Sequence, residues 1–142
     1  MATEFGKRAI ILPNPYDEAV FRRADPAANN DILFVGRLAA VKGVDVLLRA
    51  FDLIRGQVPE IRLTIVGAGP ERVALERITA ELRLGARVTF AGPLQGEALA
   101  TVMRQHGIMV VPSRYQEPFG IVALEGLACG CALVVSRRGG LG

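Results

Sequence analysis

The sequence has few of the residues that bind metals or form disulfides. Its 142 residues include one histidine, His106, and two cysteines, which stand together as Cys129-Gly130-Cys131. A C-x-C pair has poor geometry for a disulfide, and a single histidine leaves too few ligands for a zinc site. We therefore expect both thiols to be reduced and packed in the interior, and we predict neither a bound metal nor a cofactor.

Aromatic residues and lysines are also scarce. Aromatics make up 6% of the chain, tryptophan is absent, and the only lysines are Lys7 and Lys42, so the net charge of +3 rests almost entirely on arginine. Many arginines alternate with acids at helical spacing, as in residues 71–83, which indicates solvated helix faces with i,i+4 pairs. A nucleic-acid-binding protein usually concentrates basic residues in a stripe with aromatic platforms. The composition argues against a nucleic-acid partner.

Long apolar runs are missing as well. No segment approaches the roughly 20 apolar residues that a membrane helix requires. The amino-terminal apolar run, Ala9 to Leu12, is too short for the core of a signal peptide. With 51% hydrophobic and 22% charged residues, the composition is typical of a globular chain, and its length suits one domain. We predict a soluble, cytoplasmic protein.

From residue 32 onward, short apolar runs alternate with longer segments in which apolar residues recur at helical spacing. The predicted strands are Ile32 to Gly36, Ile61 to Val66, Arg87 to Phe90, Ile108 to Val111 and Ala132 to Val135. The predicted helices are Val44 to Ile54, with Val44, Leu47, Leu48, Phe51 and Ile54 on one face, Glu71 to Leu84, with Val73, Leu75, Ile78 and Leu82 inward, Gly96 to His106, and Phe119 to Cys129. This alternation predicts an α/β fold with a Rossmann-like, doubly wound parallel sheet.

The two ends of the chain differ from this pattern. Residues 1–31 are punctuated by proline and show no alternation of strands and helices, so we interpret them as a tag or a connector between domains. Residues 32–142 form the predicted domain. After Ala132 to Ser136 the sequence continues Arg-Arg-Gly-Gly-Leu-Gly, where another loop and helix should follow. We expect the domain to be incomplete at its carboxyl end.

Ligands of doubly wound sheets bind outside the carboxyl ends of the strands. Each predicted loop at that edge contains the glycine or proline that a tight turn or a close approach to a ligand requires. These loops are residues 36–43, 67–70, 92–95 and 112–120. We therefore expect a ligand site to be formed by residues of these loops.

The first loop, Gly36-Arg37 to Lys42-Gly43, carries two cations between a strand and a helix. Arginine grips a phosphate with two parallel hydrogen bonds, and lysine supplies a point charge, so the pair could fix a diphosphate. The positive charge of a lysine near a helix start is unfavourable, because it lies beside the positive end of the helix dipole, unless an anion is bound there. The alternative interpretation is a simple exposed turn.

The second loop, Gly67-Ala-Gly69-Pro70, begins like the glycine fingerprint of dinucleotide-binding proteins. Arg72 stands where the third glycine should fall, and Pro70 is a good first residue for a helix. We therefore do not favour an NAD site.

The fourth loop leads into a helix that carries two acids, Glu117 before its start and Glu125 inside it. A buried carboxylate is unfavourable unless it is paired or hydrogen-bonded. Gly120 would let a ligand approach the unpaired N–H groups of the first helical turn, and Glu125 lies about 7–8 Å further along the axis. Carboxylates are good acceptors for neighbouring sugar hydroxyls. Alternatively, Glu117 only caps the helix and Glu125 pairs with an arginine.

Four ordered motifs together resemble the carboxyl-terminal, donor-binding domain of family 4 type retaining glycosyltransferases, which have the GT-B fold. The motifs are Gly36-Arg37…Lys42-Gly43, Val66-Gly67-Ala-Gly69, Val88-Thr-Phe-Ala-Gly92 and Glu117-Pro-Phe-Gly120…Glu125. The Glu-x7-Glu spacing is the most specific of them. The resemblance covers about residues 10 to 140, and Ile11-Leu-Pro-Asn14 resembles the interdomain connector of that family.

The resemblance implies a role for each motif. Arg37 and Lys42 would neutralise the diphosphate of a UDP-, GDP- or ADP-sugar donor, Glu117 would hold hydroxyls of the donor sugar, and hexosyl transfer would proceed with retention and without a metal ion. Glu125 would accept hydrogen bonds from the ribose, and the segment 87–92 would lie near the base. The full set of implied donor-binding residues is Gly36, Gly67, Val88, Phe119, Gly120, Ile121, Val122 and Glu125.

The resemblance also indicates what this chain does not contain. The acceptor would be bound by an amino-terminal domain that is absent, so we expect the chain alone to bind donor weakly and to transfer nothing. A peripheral membrane association of the full-length protein stays open. So do two alternatives: a non-catalytic module that binds nucleotide sugars, and a related GT-B enzyme such as a sugar epimerase. A phosphorylase is disfavoured because neither Lys7 nor Lys42 is well placed for pyridoxal phosphate.

Overall fold

The computed structural model describes residues 16–23, 30–116 and 120–139. The strands are β1 (Ile32–Val35), β2 (Leu63–Val66), β3 (Val88–Gly92), β4 (Ile108–Val111) and β5 (Ala132–Val135). The helices are α1 (Val44–Ile54), α2 (Arg72–Glu81), α3 (Gly96–Arg104) and α4 (Ile121–Ala128), and a 3-10 turn, Ala40–Lys42, precedes α1. The predictions for Glu117, Phe119 and the connector motif Ile11 to Asn14 concern residues outside the described ranges.

The strands form one parallel sheet in the order β3-β2-β1-β4-β5. β1 is central and pairs with β2 on one side and with β4 on the other; Ile32 is in register with both Leu63 and Ile108. The chain therefore winds outward in one direction from β1 to β3, crosses over, and winds in the other direction from β4 to β5. The predicted Rossmann-like, doubly wound fold is confirmed, and its topological switch point lies between β1 and β4.

Helices cover both faces of the sheet. Because side chains alternate along a strand, Ile32 and Phe34 of β1 point to one face and Leu33 to the other. The first face packs against α1 and α2, in a core that includes Leu48, Phe51, Leu63, Ile65 and Leu75. The second face packs against α3 and α4, in a core that includes Ala100, Met103, Met109, Ala123 and Cys131. Coverage on both sides explains why the inner strands β1, β2 and β4 are continuously or almost continuously apolar, whereas alternate residues of the edge strands β3 and β5 are exposed.

The predicted inward face of α1 is confirmed, whereas that of α2 is partly wrong. Val44, Leu47, Leu48 and Phe51 of α1 are all buried. In α2, Leu75 is buried, but Val73 is 76% exposed. Residues two apart on a helix differ by about 200° in direction, so Val73 and Leu75 cannot share one face.

Helix α2 also ends three residues before the predicted Leu84. Arg83 adopts the left-handed conformation, with φ of 54°. Its N–H donates to the carbonyl of Ala80, and the N–H of Leu84 donates to that of Thr79. This pair of bonds is the Schellman motif, which closes a helix and satisfies its last carbonyls. Leu84 is thereby directed into the core, where it is buried.

The described part of the amino-terminal segment, residues 16–23, packs on the α3 and α4 side of the domain. Phe21 is buried in the core of that side. The guanidinium of Arg104 in α3 donates a hydrogen bond to the carbonyl of Val20 at 3.2 Å. The boundary at residue 31 and the role of connector stay predictions. No helix within the described ranges has both the length and the apolar character needed to cross a membrane.

Candidate functional site

The loops that follow β1 and β4 meet at the carboxyl edge of the sheet. Gly43, in the loop after β1, has φ of 70°, and a Cβ atom at this position would lie well under 3.0 Å from the carbonyl oxygen of Pro112. The N–H of Arg114 donates to the carbonyl of Val41 at 2.7 Å. The two backbones are therefore in direct contact at the topological switch point, where doubly wound sheets bind their ligands.

The loop after β2 packs against the loop after β1 from the other side. A Cβ atom at Gly67, whose φ is 138°, would lie well under 3.0 Å from the carbonyl oxygen of Gly36, and one at Gly69 would collide with Leu38 in the same way. The N–H of Leu38 also donates to the carbonyl of Ala68 at 2.9 Å. The partial glycine fingerprint therefore has a structural reason, which is close packing of two backbones. A contact of Gly36 or Gly67 with a ligand stays a prediction.

The two predicted cations lie in the loop after β1. Arg37 is exposed, and no other described residue gives its side chain a hydrogen bond or an ion pair. Lys42 ends the 3-10 turn, directly before Gly43 and the amino terminus of α1. Its ammonium lies 3.4 Å from the hydroxyl of Tyr115 and 4.9 Å from the centre of that ring. The loop thus presents positive charge at the switch point, close to the positive end of a helix dipole.

Arg114, which the sequence interpretation did not assign, joins the two loops through its side chain. Its guanidinium donates to the carboxylate of Asp45 in the first turn of α1 at 2.6 Å and to the carbonyl of Ala40 at 3.2 Å. Tyr115 was also left unassigned. Both residues were visible in the fourth loop, but no local signal indicates a contact with residues about seventy positions earlier.

Helix α4 begins at the same edge. Gly120, in the left-handed conformation with φ of 63°, is its N-cap and is buried. The N–H groups of Ile121 and Val122 belong to the first turn and have no acceptor within the helix. Hydrogen-bond donors therefore lie at the same edge of the sheet as the cation-bearing loop. Glu117 and Phe119, the other predicted residues of this motif, lie outside the described ranges, and their roles stay predictions.

Glu125 lies inside α4 and is partly buried. Burial raises the pKa of its carboxyl group above the ordinary value of 4.5. Across residues 16–23, 30–116 and 120–139, no side chain forms an ion pair with it, so the alternative of a pairing with arginine finds no support there. A carboxylate kept partly out of water without compensation is typical of a group that binds a ligand.

Val88 does not lie with the other predicted residues. It begins β3, opposite Leu63, and is buried in the core between the sheet and α1 and α2. Since the strand continues to Gly92, Val88 is about 13 Å from the carboxyl edge at 3.3 Å per residue. The structure therefore does not bring Val88 together with the loops at that edge, which this segment reaches only at Gly92. A contact of Val88 with the nucleotide stays a prediction.

His106 and the two cysteines make contacts within the fold and lie outside the candidate site. The Nδ1–H of His106 donates to the carbonyl of Val102 at 2.7 Å, and Nε2 lies 2.9 Å from the hydroxyl of Thr64. The predicted free, packed thiols are confirmed, since Cys129 and Cys131 are both buried and unpaired. Burial raises the pKa of Cys131 to about 11, which makes it a poor nucleophile. No cluster of three potential metal ligands occurs in the part of the chain that the structure describes.

Comparisons with known proteins find glycosyltransferases among the proteins that are similar to this chain. The family model described as "Glycosyl transferases group 1" matches residues 16–142. An uncharacterized glycosyltransferase of Methanocaldococcus jannaschii is 41% identical over 123 residues, covering 85% of this chain and 31% of that protein. The D-inositol 3-phosphate glycosyltransferase of Mycobacteroides abscessus is 40% identical over 138 residues, covering 89% of this chain and 29% of that protein.

A solved structure shows the same fold with ligands bound. The Anabaena protein HepE, in complex with UDP and glucose, superposes with a TM-score of 0.79 at 25% sequence identity, over 90% of this chain and 38% of HepE. The chain thus spans about three tenths of the length of the curated relatives that it matches.

Proposed function

Because this chain belongs to the group 1 glycosyl transferases and has the architecture of a GT-B domain, we propose that it is the donor-binding part of a retaining, family 4 type enzyme. In this proposal, the longer protein transfers a hexosyl group from a nucleoside diphosphate sugar to an acceptor, in the cytoplasm and without a metal ion. The acceptor is bound by a part of the protein outside these residues. The isolated chain binds the donor and transfers nothing.

One observation carries the proposal. The loop with Arg37 and Lys42 packs directly against the loop after β4, at the topological switch point of the sheet. Negative charge grows on the diphosphate as the bond between sugar and phosphate breaks. Cations fixed beside the diphosphate stabilise that charge, and stabilisation of this kind is often the largest contribution to catalysis.

The remaining roles follow from position along α4. The N–H groups of Ile121 and Val122, in the first turn, donate to phosphate or sugar oxygens. Glu125, further along the helix, accepts hydrogen bonds from the ribose hydroxyls, and these compensate the burial of its carboxylate. Glu117 holds hydroxyls of the donor sugar, as the resemblance implies. Uridine is the first base to test, because HepE binds UDP.

A thermal-shift comparison of diphosphates with monophosphates tests the proposal. At ten times its Kd, a ligand stabilises the folded chain by about 1.4 kcal/mol. For a chain of this size we expect a rise in Tm of about 3–6 °C with UDP, GDP or ADP, whichever base fits. UMP, GMP and AMP should give clearly smaller shifts. Equal shifts for each diphosphate and its monophosphate would contradict a site built around the diphosphate.

The substitution Glu125→Gln should stabilise the chain and weaken nucleotide binding. The raised pKa means that the folded state binds the proton of Glu125 more tightly than the unfolded state does. Ionisation at neutral pH therefore destabilises the fold, and this effect disappears as the pH falls through the raised pKa toward 4.5. Glutamine resembles the protonated acid, so we expect Tm to rise by about 1–2 °C at pH 7 and to change little at pH 4.

The same substitution, Glu125→Gln, should weaken nucleotide binding although it stabilises the fold. Loss of a charged acceptor for the ribose should lower the affinity for UDP about three- to tenfold. Glu60→Gln is the matched control, because Glu60 is exposed and no described residue pairs with its side chain; neither Tm nor affinity should change. An unchanged UDP affinity in Glu125→Gln would refute the ribose role.

A further inference from the structure

Arg114 contacts the chain on both sides of Lys42. Its backbone N–H donates to the carbonyl of Val41 at 2.7 Å, and its guanidinium donates to the carbonyl of Ala40 at 3.2 Å. The other nitrogen of the fork donates to Asp45, three residues after Lys42, at 2.6 Å. The planar, forked guanidinium makes both side-chain contacts at once, each through a different nitrogen. The backbone around Lys42 is thereby tied to the loop after β4.

Tyr115, the next residue, contacts the side chain of Lys42 itself. The ammonium lies 3.4 Å from the phenolic oxygen and 4.9 Å from the centre of the ring. An ammonium over an aromatic face is held by the ring quadrupole. Arg114 therefore fixes the backbone that carries Lys42, and Tyr115 orients the charged end. We call these two residues together the Arg114–Tyr115 clasp.

We propose that the Arg114–Tyr115 clasp positions the Lys42 ammonium for the diphosphate of the donor; this inference rests on the proposed function. A lysine side chain has many rotamers, and fixing it on a ligand lowers affinity by the entropy that is lost. The clasp restricts those rotamers before the ligand arrives. Arg114 and Tyr115 act through Lys42, so they are positioning residues and not catalytic residues.

The surroundings of the clasp favour positioning over stabilisation of the fold. The side chain of Arg114 is 47% exposed and that of Asp45 is 30% exposed. Ion pairs of this exposure contribute little to the stability of a protein. We therefore expect variants of Arg114 to fold normally and to differ mainly in their affinity for the donor.

The first experiment compares Arg114 with a matched arginine. Arg55, just beyond the opposite end of α1, also pairs with a partly exposed aspartate, Asp52, and donates to a backbone carbonyl, that of Arg83. In NMR titrations of the full chain with UDP, Arg114→Ala should lower the affinity about three- to tenfold. Arg114→Lys should not restore it, and Arg55→Ala should leave it unchanged. Equal affinities in Arg114→Ala and Arg55→Ala would overturn the proposal.

A double-mutant cycle separates action through Lys42 from direct contact with the ligand. Tyr115→Leu should lower the affinity for UDP about threefold in the wild-type background. In the Lys42→Ala background, the same substitution should have no further effect, because the group that it orients is gone. A full, additive loss in that background would assign Tyr115 to the ligand itself and refute positioning through Lys42.

A measurement without nucleotide tests the Arg114–Tyr115 clasp separately from the proposed function. The sequence has only two lysines, Lys7 and Lys42, so a chain labelled with ¹³C-lysine gives two Hε–Cε signals. The ring of Tyr115 should shift the Lys42 signal upfield, and Tyr115→Leu and Arg114→Ala should both move it back toward the position of a lysine in an unfolded peptide. If UDP does not bind but the signal behaves in this way, the proposed function fails and the clasp stands. An unshifted Lys42 signal in the wild type refutes the clasp.

Discussion

The substitution Gly67→Ala is expected to lower the free energy of unfolding by about 3 kcal/mol or more, and Tm by about 10 °C. Two effects add at this position. The φ of 138° is one that side chains rarely adopt, and the new Cβ would collide with the carbonyl oxygen of Gly36. That oxygen belongs to the backbone and cannot rotate away as the end of a flexible side chain can. The loops after β1 and β2 must therefore separate.

Gly85→Ala is the control for this result. A Cβ atom at Gly85 would meet nothing within 4 Å, and its φ lies outside the strained range. Urea unfolding of Gly85→Ala should give a stability within about 0.5 kcal/mol of the wild type. If Gly67→Ala unfolds at the same urea concentration as Gly85→Ala, the close packing of the two loops is not present in solution.

The substitution Arg37→Ala should reduce the affinity for UDP about ten- to a hundredfold. A charge-assisted hydrogen bond contributes about 1.5–3 kcal/mol, so the net loss of one such bond to a phosphate accounts for a change of this size. Because Arg37 has no described partner to lose, its removal should not affect folding, and Tm without nucleotide should stay within about 1 °C of the wild type. NMR titration suits this measurement, because it detects the weak binding that is expected of the chain alone.

Arg62→Ala is the control for Arg37→Ala, because it removes the same positive charge at another position. Arg62 is exposed and directly precedes β2, so it lies at the amino edge of the sheet, and its backbone N–H, not its side chain, bonds to Asp31. Arg62→Ala should bind UDP like the wild type at moderate salt, since charges farther apart than about 10 Å are screened. A comparable loss in both variants would mean that net charge, and not a site at Arg37, attracts the nucleotide.

The fold could be predicted because each element has its own local signal. Apolar runs at β1, β2, β4 and β5 and the periodicity of α1 are encoded in short windows, and their alternation leaves few topologies. The errors have local causes too. Val73 was assigned to the inward face of α2 although it stands two residues from Leu75. The helix ends earlier than predicted because Arg83 is left-handed, and the sequence has no glycine at this position to indicate the end.

The candidate site was only partly predictable. The position of Arg37 and Lys42 at the carboxyl edge could be predicted, because the loop that carries them follows a recognisable strand and precedes a recognisable helix. Their contacts with a donor, and that of Glu125, stay predictions. The roles of the glycines could not be predicted, since Gly67 and Gly43 are required by backbones that meet only in the folded sheet. The contacts of Arg114 with Asp45 and of Tyr115 with Lys42 were invisible for the same reason. Such contacts depend on the adjacency of β1 and β4, which no short segment encodes.

The most direct test of the account is a map of the UDP site by ¹H–¹⁵N NMR of the whole chain. We expect the largest changes in amide shift to cluster at one edge, in residues 36–43, 67–69, 113–116 and 120–125, and UMP to cause much smaller changes there. Changes centred on the amino edge, around Arg62 and Gly107, or no saturable change with any nucleoside diphosphate, would contradict this expectation.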